Sequence, residues 1–235
     1  MPKIRIYIEP KDINNFIEVK DLNIVHKIKN VLRLRKEDIL YIFDGQGKEY
    51  LSQIEIIAKK SIIIKIDKLF ADGVILNKKI TLGFPLVKES KISFILQKAT
   101  ELGVNHFIPF VSERSLRGQI SDNKIEKWKK IIIEAVRQSE RLWIPTISKV
   151  LNFKEIIKSN NRVKLVTSVN GKKINTILNG KEEDVFVVVG PEGGFSSLEN
   201  DQLKNNNFKF FNLSSHILRV ETASLFSVGL INYFI

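Results

Sequence analysis

The run Val185-Phe186-Val187-Val188-Val189 constrains this 235-residue chain more than any other feature. Consecutive β-branched and aromatic residues offer no polar face to water, so the run is a strand covered on both sides. That is the situation of a central strand in a parallel sheet. The chain leaves it through Gly190-Pro191-Glu192-Gly193-Gly194, and Ser196-x-x-Glu199 then matches a capping box that opens a helix.

The same texture holds from about residue 78 onward. Lys79 to Phe84 reads as a strand. Glu89 to Leu102 sets Ile92, Ile95, Leu96, Ala99 and Leu102 on one helical stripe, and Gly103 stands just past its end as a stop. His106 to Val111 is a strand, Asn123 to Gln138 a helix, Phe153 to Lys158 a short helix and Val163 to Thr167 a strand. Phe208 to Leu213 is the last strand, and Glu221 to Phe234 a helix apolar almost all round, which predicts burial in the domain or against another subunit. Alternating strands and helices predict an α/β layer architecture. Ligands in such sheets sit at the carboxyl ends of strands, so the loops after Val166, Val189 and Leu213 are the places to look.

Residues 1 to 70 read differently. Strand-like stretches at Lys3 to Ile8, Ile39 to Phe43, Glu49 to Ile57 and Ser61 to Ile66 are separated by turn signals, of which Asp44-Gly45 is the strongest. Asp21 to Asn30 can form a short helix, and Leu69 to Asn77 looks like a connector. The expected division is a β-rich unit over 1–70 and an α/β unit over 71–235.

Lys plus Arg (38) against Asp plus Glu (26) leaves a formal charge of +12, which favours an acidic partner such as nucleic acid. Lysine outnumbers arginine, so a solvated lysine-rich surface accounts for the charge equally well. Arginines speak more directly. Arg33, Arg35, Arg114, Arg117, Arg137, Arg141 and Arg219 gather in a few short segments, and a planar guanidinium suits phosphate and base edges. There is no cysteine, which excludes disulfides, thiolate nucleophiles and cysteine-ligated metals, and three scattered histidines argue against a metal centre. The start MPKIRIYIEP holds no apolar leader core and no apolar run approaches a bilayer span, so the expected location is the cytoplasm.

Two segments carry most of the chemistry. The loop Gly190 to Gly194 lacks the Gly-Lys-Ser/Thr of a phosphate loop, and G-x-G-x-x-G occurs nowhere, so a phosphate cradle is disfavoured. A ligand that is neutral or cationic, held by main-chain groups, remains, as does a plain strand-to-helix turn. The run NLSSHILRVETASLF (212–226) again leaves a strand and enters a helix whose amino-terminal dipole would face the crevice. Arg219 and Glu221 flank that start, where a local ion pair is the ordinary reading, and Thr222 suits a plain N-cap. Two further runs, QKATELGVNHFIPFVSERS (97–115) and AVRQSERLWIP (135–145), place Arg and Glu at helix–strand junctions.

GPEGGFS, HILRVETA, QKATELGV with SERS, RQSER with a following Pro, and the amino-terminal HKIKNVLRLRKEDILYIFDGQGKEY resemble the signature runs of the RsmE family, in order and over nearly the whole chain. These are S-adenosylmethionine-dependent methyltransferases that modify N3 of a uridine in small-subunit (16S) ribosomal RNA. The resemblance implies a PUA-like β-barrel for RNA followed by a SPOUT domain, a parallel sheet tied in a deep trefoil knot, working as a homodimer on rRNA, free or within the assembled 30S subunit. The chain departs from the family at Ser214, Ser215 and His216, where the family shows Gly, Pro and Arg.

Carried onto this sequence, the resemblance implies that the cofactor S-adenosylmethionine is held by Thr167, Gly190, Glu192, Gly193, Gly194, Leu213, Ile217, Leu218 and Thr222. Arg219 would stabilise negative charge developing on the uracil ring, and Glu221 would accept its proton or orient Arg219. Arg33, Arg35, Arg114, Arg137 and Arg141 would contact RNA. The alternative is a non-catalytic RNA-binding or ribosome-assembly factor on the same scaffold.

Overall fold

The computed structural model describes residues 3–74, 78–116 and 120–235. Arg117 and the last three residues of the expected connector lie outside them. Two compact units divide the chain, one of Met1–Ile75 with Val136–Ile144, the other of Leu76–Ala135 with Pro145–Ile235.

The first unit is a five-stranded sheet in the order β1 (Arg5–Tyr7), β3 (Ile39–Phe43), β4 (Lys48–Ile57), β5 (Ile62–Asp72), β2 (Phe16–Val19). β1 runs parallel to β3 and the other pairs are antiparallel. Isoleucines fill its core: Ile6, Ile17, Ile28, Ile42, Ile54, Ile62 and Ile64 are buried. β5 runs six residues beyond the expected end at Ile66, because it stays paired with β4 as far as Lys48↔Asp72. The boundary expected at residue 70 therefore falls inside a strand, and the first part of the expected connector is strand. β2, unread in the sequence, alternates exposed and buried residues over only four positions.

Helix α1 (Leu22–His26) begins where expected, since Asp21 Oδ1 accepts from Asn23 N at 2.7 Å. It then widens at Lys27–Val31, where Leu32 N donates to Lys27 O, and ends on Arg33 in the left-handed region (φ 53°).

Main-chain hydrogen bonds from Gly47 N to Leu142 O (3.1 Å) and from Ile144 N to Gly45 O (2.9 Å) tie segment 136–144 to the first unit, and one buried side chain adds to them. Arg5, 1% exposed, pairs with Glu49 at 2.5 Å, lies over the Phe43 ring, and donates to the carbonyls of Val136, Arg137 and Arg141. Val136 and Arg137 lie in the last turn of α3 (Asp122–Gln138), so the guanidinium caps the carboxyl end of that helix.

The second unit is built on a parallel sheet in the order β12 (Lys209–Phe211), β10 (Val163–Lys172), β11 (Asp184–Val188), β6 (Lys79–Pro85), β7 (His106–Val111), β8 (Thr146–Ile147), with β9 (Leu151–Asn152) also on β7. β11 is central and fully buried from Val185 on, as its composition requires. Helix α2 (Glu89–Glu101) buries Ile92, Ile95, Leu96 and Ala99, and Gly103 closes it at φ 102°. The remaining helices are α4 (Phe153–Ile156), α5 (Ser197–Asn205) and α6 (Val220–Phe234).

α6 packs against α2 and β6 and buries Val220, Ala223, Val228 and Ile231. Within the chain its burial is one-sided, with Phe226 and Tyr233 exposed. Its N-cap residue is Arg219, two positions before the Glu221 start expected from sequence; Thr222 lies inside the helix and caps nothing. Among the described residues no helix is long and apolar enough to cross a membrane.

Candidate functional site

β12, β10 and β11 are adjacent and parallel, with Val166 opposite both Phe210 and Val188. Adjacent strands lie about 4.8 Å apart, so three neighbouring carboxyl ends fall within about 10 Å of one another. The loops leaving those ends are the ones the sequence singled out, and they enclose one cavity of about 690 Å³. Thr167, Gly190, Glu192, Gly193, Gly194, Leu213, Ile217, Leu218 and Arg219 all line it. Thr222 is exposed and does not, and Glu221 is set back from the wall.

Each bend has a local cause. The first is longer than expected: β10 pairs Thr167 with Phe211, swings out over 168–171, and pairs Lys172 with Phe211 again. Gly171 is required there, since a Cβ would collide with the Phe211 backbone. Asn212 fastens the crossing, its N–H donating to Lys172 O at 2.9 Å and its side-chain amide to Val169 O. At the second bend, Gly194 N donates to Pro191 O at 2.8 Å and Gly194 sits at φ 68°, where a side chain would be strained. At the third, His216 N donates to Ser214 Oγ at 3.1 Å. Ser214 is not among the described residues with positive φ, so the bend needs no glycine there, and its hydroxyl supplies a local turn in place of the family's proline.

The second bend is braced from outside. Ser196 and Glu199 form the expected capping box, and Glu199, 6% exposed, also accepts from Glu113 N at 2.9 Å. That fixes the segment carrying Arg114, whose guanidinium donates to Gly193 O at 2.9 Å. Arg114, expected to contact RNA, thus already holds the glycine loop.

Lys91, on the first turn of α2, also lines the cavity. Its ammonium lies 2.5 Å from Glu192 and 3.5 Å from Glu221. The hydrogen bond from Lys91 holds the Glu192 carboxyl below the usual carboxylate range, with Lys88 and Arg219 adding to the effect; the same bond pushes the Lys91 ammonium up. Glu221 Oε2 is buried and makes no aligned hydrogen bond. The expected pairing of Glu221 with Arg219 is therefore replaced by a Lys91 link between the second and third bends. Sequence reading missed Lys91 because α2 was read for its apolar stripe; Ser168 and Asn200, which also line the cavity, stand in no motif.

The expected RNA contacts divide between the units. Arg33 and Arg35 are exposed on the first, and Arg35 N donates to Asp38 Oδ2 at 2.6 Å. Arg137 and Arg141, half-buried, belong to the same unit, and desolvation pushes the Arg141 guanidinium down to about 10, so it stays charged at neutral pH.

Residues 75–232 match the model of an RNA methyltransferase domain and residues 21–67 that of an RNA methyltransferase PUA domain. The chain is 33% identical over 231 residues to ribosomal RNA small subunit methyltransferase E of Rickettsia conorii, covering 96% of this chain and 93% of that protein. It is 31% identical to the Mesomycoplasma hyopneumoniae enzyme of the same name over 94% and 96% of the two chains. Its fold superposes on the Neisseria gonorrhoeae protein of that name, solved with S-adenosyl methionine bound, with a TM-score of 0.89, 28% identity and coverage of 99% and 98%. A Legionella pneumophila protein solved with SAM gives 0.90 at 26% identity and the same coverage. Matches of this extent over both units show that the chain belongs to the ribosomal RNA small subunit methyltransferase E family.

Proposed function

We infer that the chain transfers a methyl group from S-adenosylmethionine to N3 of a uridine in small-subunit (16S) ribosomal RNA. The carrying observation is the convergence of the three bends on one cavity with Arg219 in its wall. A volume of about 690 Å³ suits a nucleoside-sized ligand, and the loops that line it offer main-chain groups to hold one. Thr167, Gly190 to Gly194 and Leu213 to Leu218 would hold it. S-adenosylmethionine, when bound, supplies an electrophilic methyl on a sulfonium.

The chain's own work is alignment and charge. Uracil N3 must lose its proton, and the charge left behind spreads onto O2 and O4, where the Arg219 guanidinium stabilises it. Glu221, whose Oε2 lies 3.5 Å from the Lys91 ammonium, is the candidate acceptor for the proton. Arg33 and Arg35 on the first unit, with Arg137 and Arg141, supply cations for RNA phosphates.

The path of the chain supports the knotted reading. After β12, at the sheet edge, it returns past the 168–172 crossing to lay α6 on α2 and β6. Exposed Phe226 and Tyr233 on α6 support a homodimer, and a ribosomal substrate, free or in the 30S subunit, supports a cytoplasmic location.

Nucleoside mass spectrometry of small-subunit rRNA treated with the protein and S-adenosylmethionine tests the reading. 3-Methyluridine should appear. Arg219→Ala should lower turnover by about 10²–10³-fold while calorimetry still detects cofactor binding. Cofactor heat with no methylated product would leave an RNA-binding factor instead.

A further inference from the structure

Beside the donor cavity lies a second one, of about 730 Å³, where segment 168–177 passes α5 and β12. Ser168 and Asn200 line both, so the two adjoin through a common wall. Lys172, Lys204 and Lys209 line the second, and no Asp or Glu does. Lys204 is 3.2 Å from Asp201, but Lys172 and Lys209 have no acidic partner among the described residues. Phe210, packed against the core, also lines this wall. Neither the glycine loop nor Arg219 reaches this space, so the donor site does not account for it.

Cations gathered in a concave space without counter-charge select an anion, and the volume greatly exceeds that of one phosphate group. An enzyme that acts on a base edge must draw that base out of its stack, which leaves the neighbouring strand single and its phosphates exposed. Proteins that hold such strands combine a basic groove with an aromatic platform. We propose that this groove takes the phosphodiester backbone of single-stranded RNA next to the nucleotide whose base enters the donor cavity, with Lys172, Lys204 and Lys209 paired to its phosphates. The proposal rests on the methyltransferase reading.

The test compares the full chain with a Lys172→Gln/Lys204→Gln/Lys209→Gln variant and with the corresponding triple Arg variant. Fluorescence anisotropy follows a single-stranded RNA of about 10 nucleotides across a salt series, and calorimetry follows S-adenosylmethionine. Each phosphate contact contributes about 0.7 to the slope of log affinity against log salt, so the Gln variant should lose about 2 in slope and roughly tenfold or more in affinity. The Arg variant should keep both, and all three proteins should bind S-adenosylmethionine alike. A Gln variant whose RNA affinity and slope match those of the unmodified chain overturns the groove alone. An unmodified chain that takes up neither S-adenosylmethionine nor RNA overturns the methyltransferase reading and the groove with it.

Discussion

Lys91 is separated from Glu192 by 101 positions in the chain, yet its ammonium joins the carboxylates of two bends that share no backbone hydrogen bond across the cavity. Replacing it by Met leaves Glu192 and Glu221 without the cation they share. The Kd for S-adenosylmethionine, measured by calorimetry, should rise roughly tenfold, and Lys91→Arg should recover most of the loss; an unchanged Kd in the Met variant would show that the bends hold without the link. The pH dependence follows from the two shifts. Glu192 is depressed, so its contribution is complete above the ordinary value of 4.5 and lost as pH falls through the lower folded value. Lys91 is raised, so its contribution is complete below 10.5 and lost only as pH rises through the higher folded value. Across neutrality the link is constant, and the Met variant should differ from the unmodified chain by the same factor at pH 6 and pH 8. Residues of this kind are invisible in sequence because their partners are set by strand order. Arg219 was legible, since it sits in a run whose chemistry is local; the true neighbour of Glu221 was not.

Among elements, the reading was good wherever burial imposed a period. The strand from Val185, the α2 stripe and the Ser196 cap all stand within a residue or two of expectation. It failed where pairing overrides composition. β5 continues through polar residues because β4 is beside it, and β10 reaches Lys172 because the chain crosses Phe211 twice. Glu199 joins both kinds of signal. Its capping role is written in the spacing from Ser196, whereas its bond from Glu113 N is purely tertiary. In Glu199→Gln one carboxylate oxygen becomes an amide nitrogen, which cannot accept, so a buried backbone N–H loses its partner. The cost should be about 2 kcal/mol, read as a lower urea midpoint at unchanged m. Because Glu113 precedes Arg114 and Arg114 holds Gly193, cofactor affinity should fall with it; full affinity in a destabilised variant would separate the cap from the site.

For the molecule as a whole, the two-part reading was legible from the change of texture near residue 78, but the first part is not one stretch of chain. Val136–Ile144 returns to it, held by the Arg5 guanidinium on its carbonyls and by main-chain bonds at Gly45 and Gly47. Nothing in the run RQSERLWIP announces this, since the groups used are main-chain groups. Arg5→Met removes the buried cation and leaves Glu49 with only Lys3 at 2.8 Å. Thermal unfolding should show a loss of about 3 kcal/mol or more. A fragment ending at residue 75 should unfold at clearly lower urea than the first unit in the intact chain, because the same guanidinium then lacks its acceptors. Equal midpoints would mean that water replaces them at no cost.

That returning segment also sets an order on biosynthesis. A nascent polypeptide folds from its leading end as it emerges, but here the leading unit stays incomplete until more than sixty further residues have been translated. During that interval Arg5 has Glu49 but not its three carbonyl acceptors, and the opening third of the protein waits for its middle to complete the cluster.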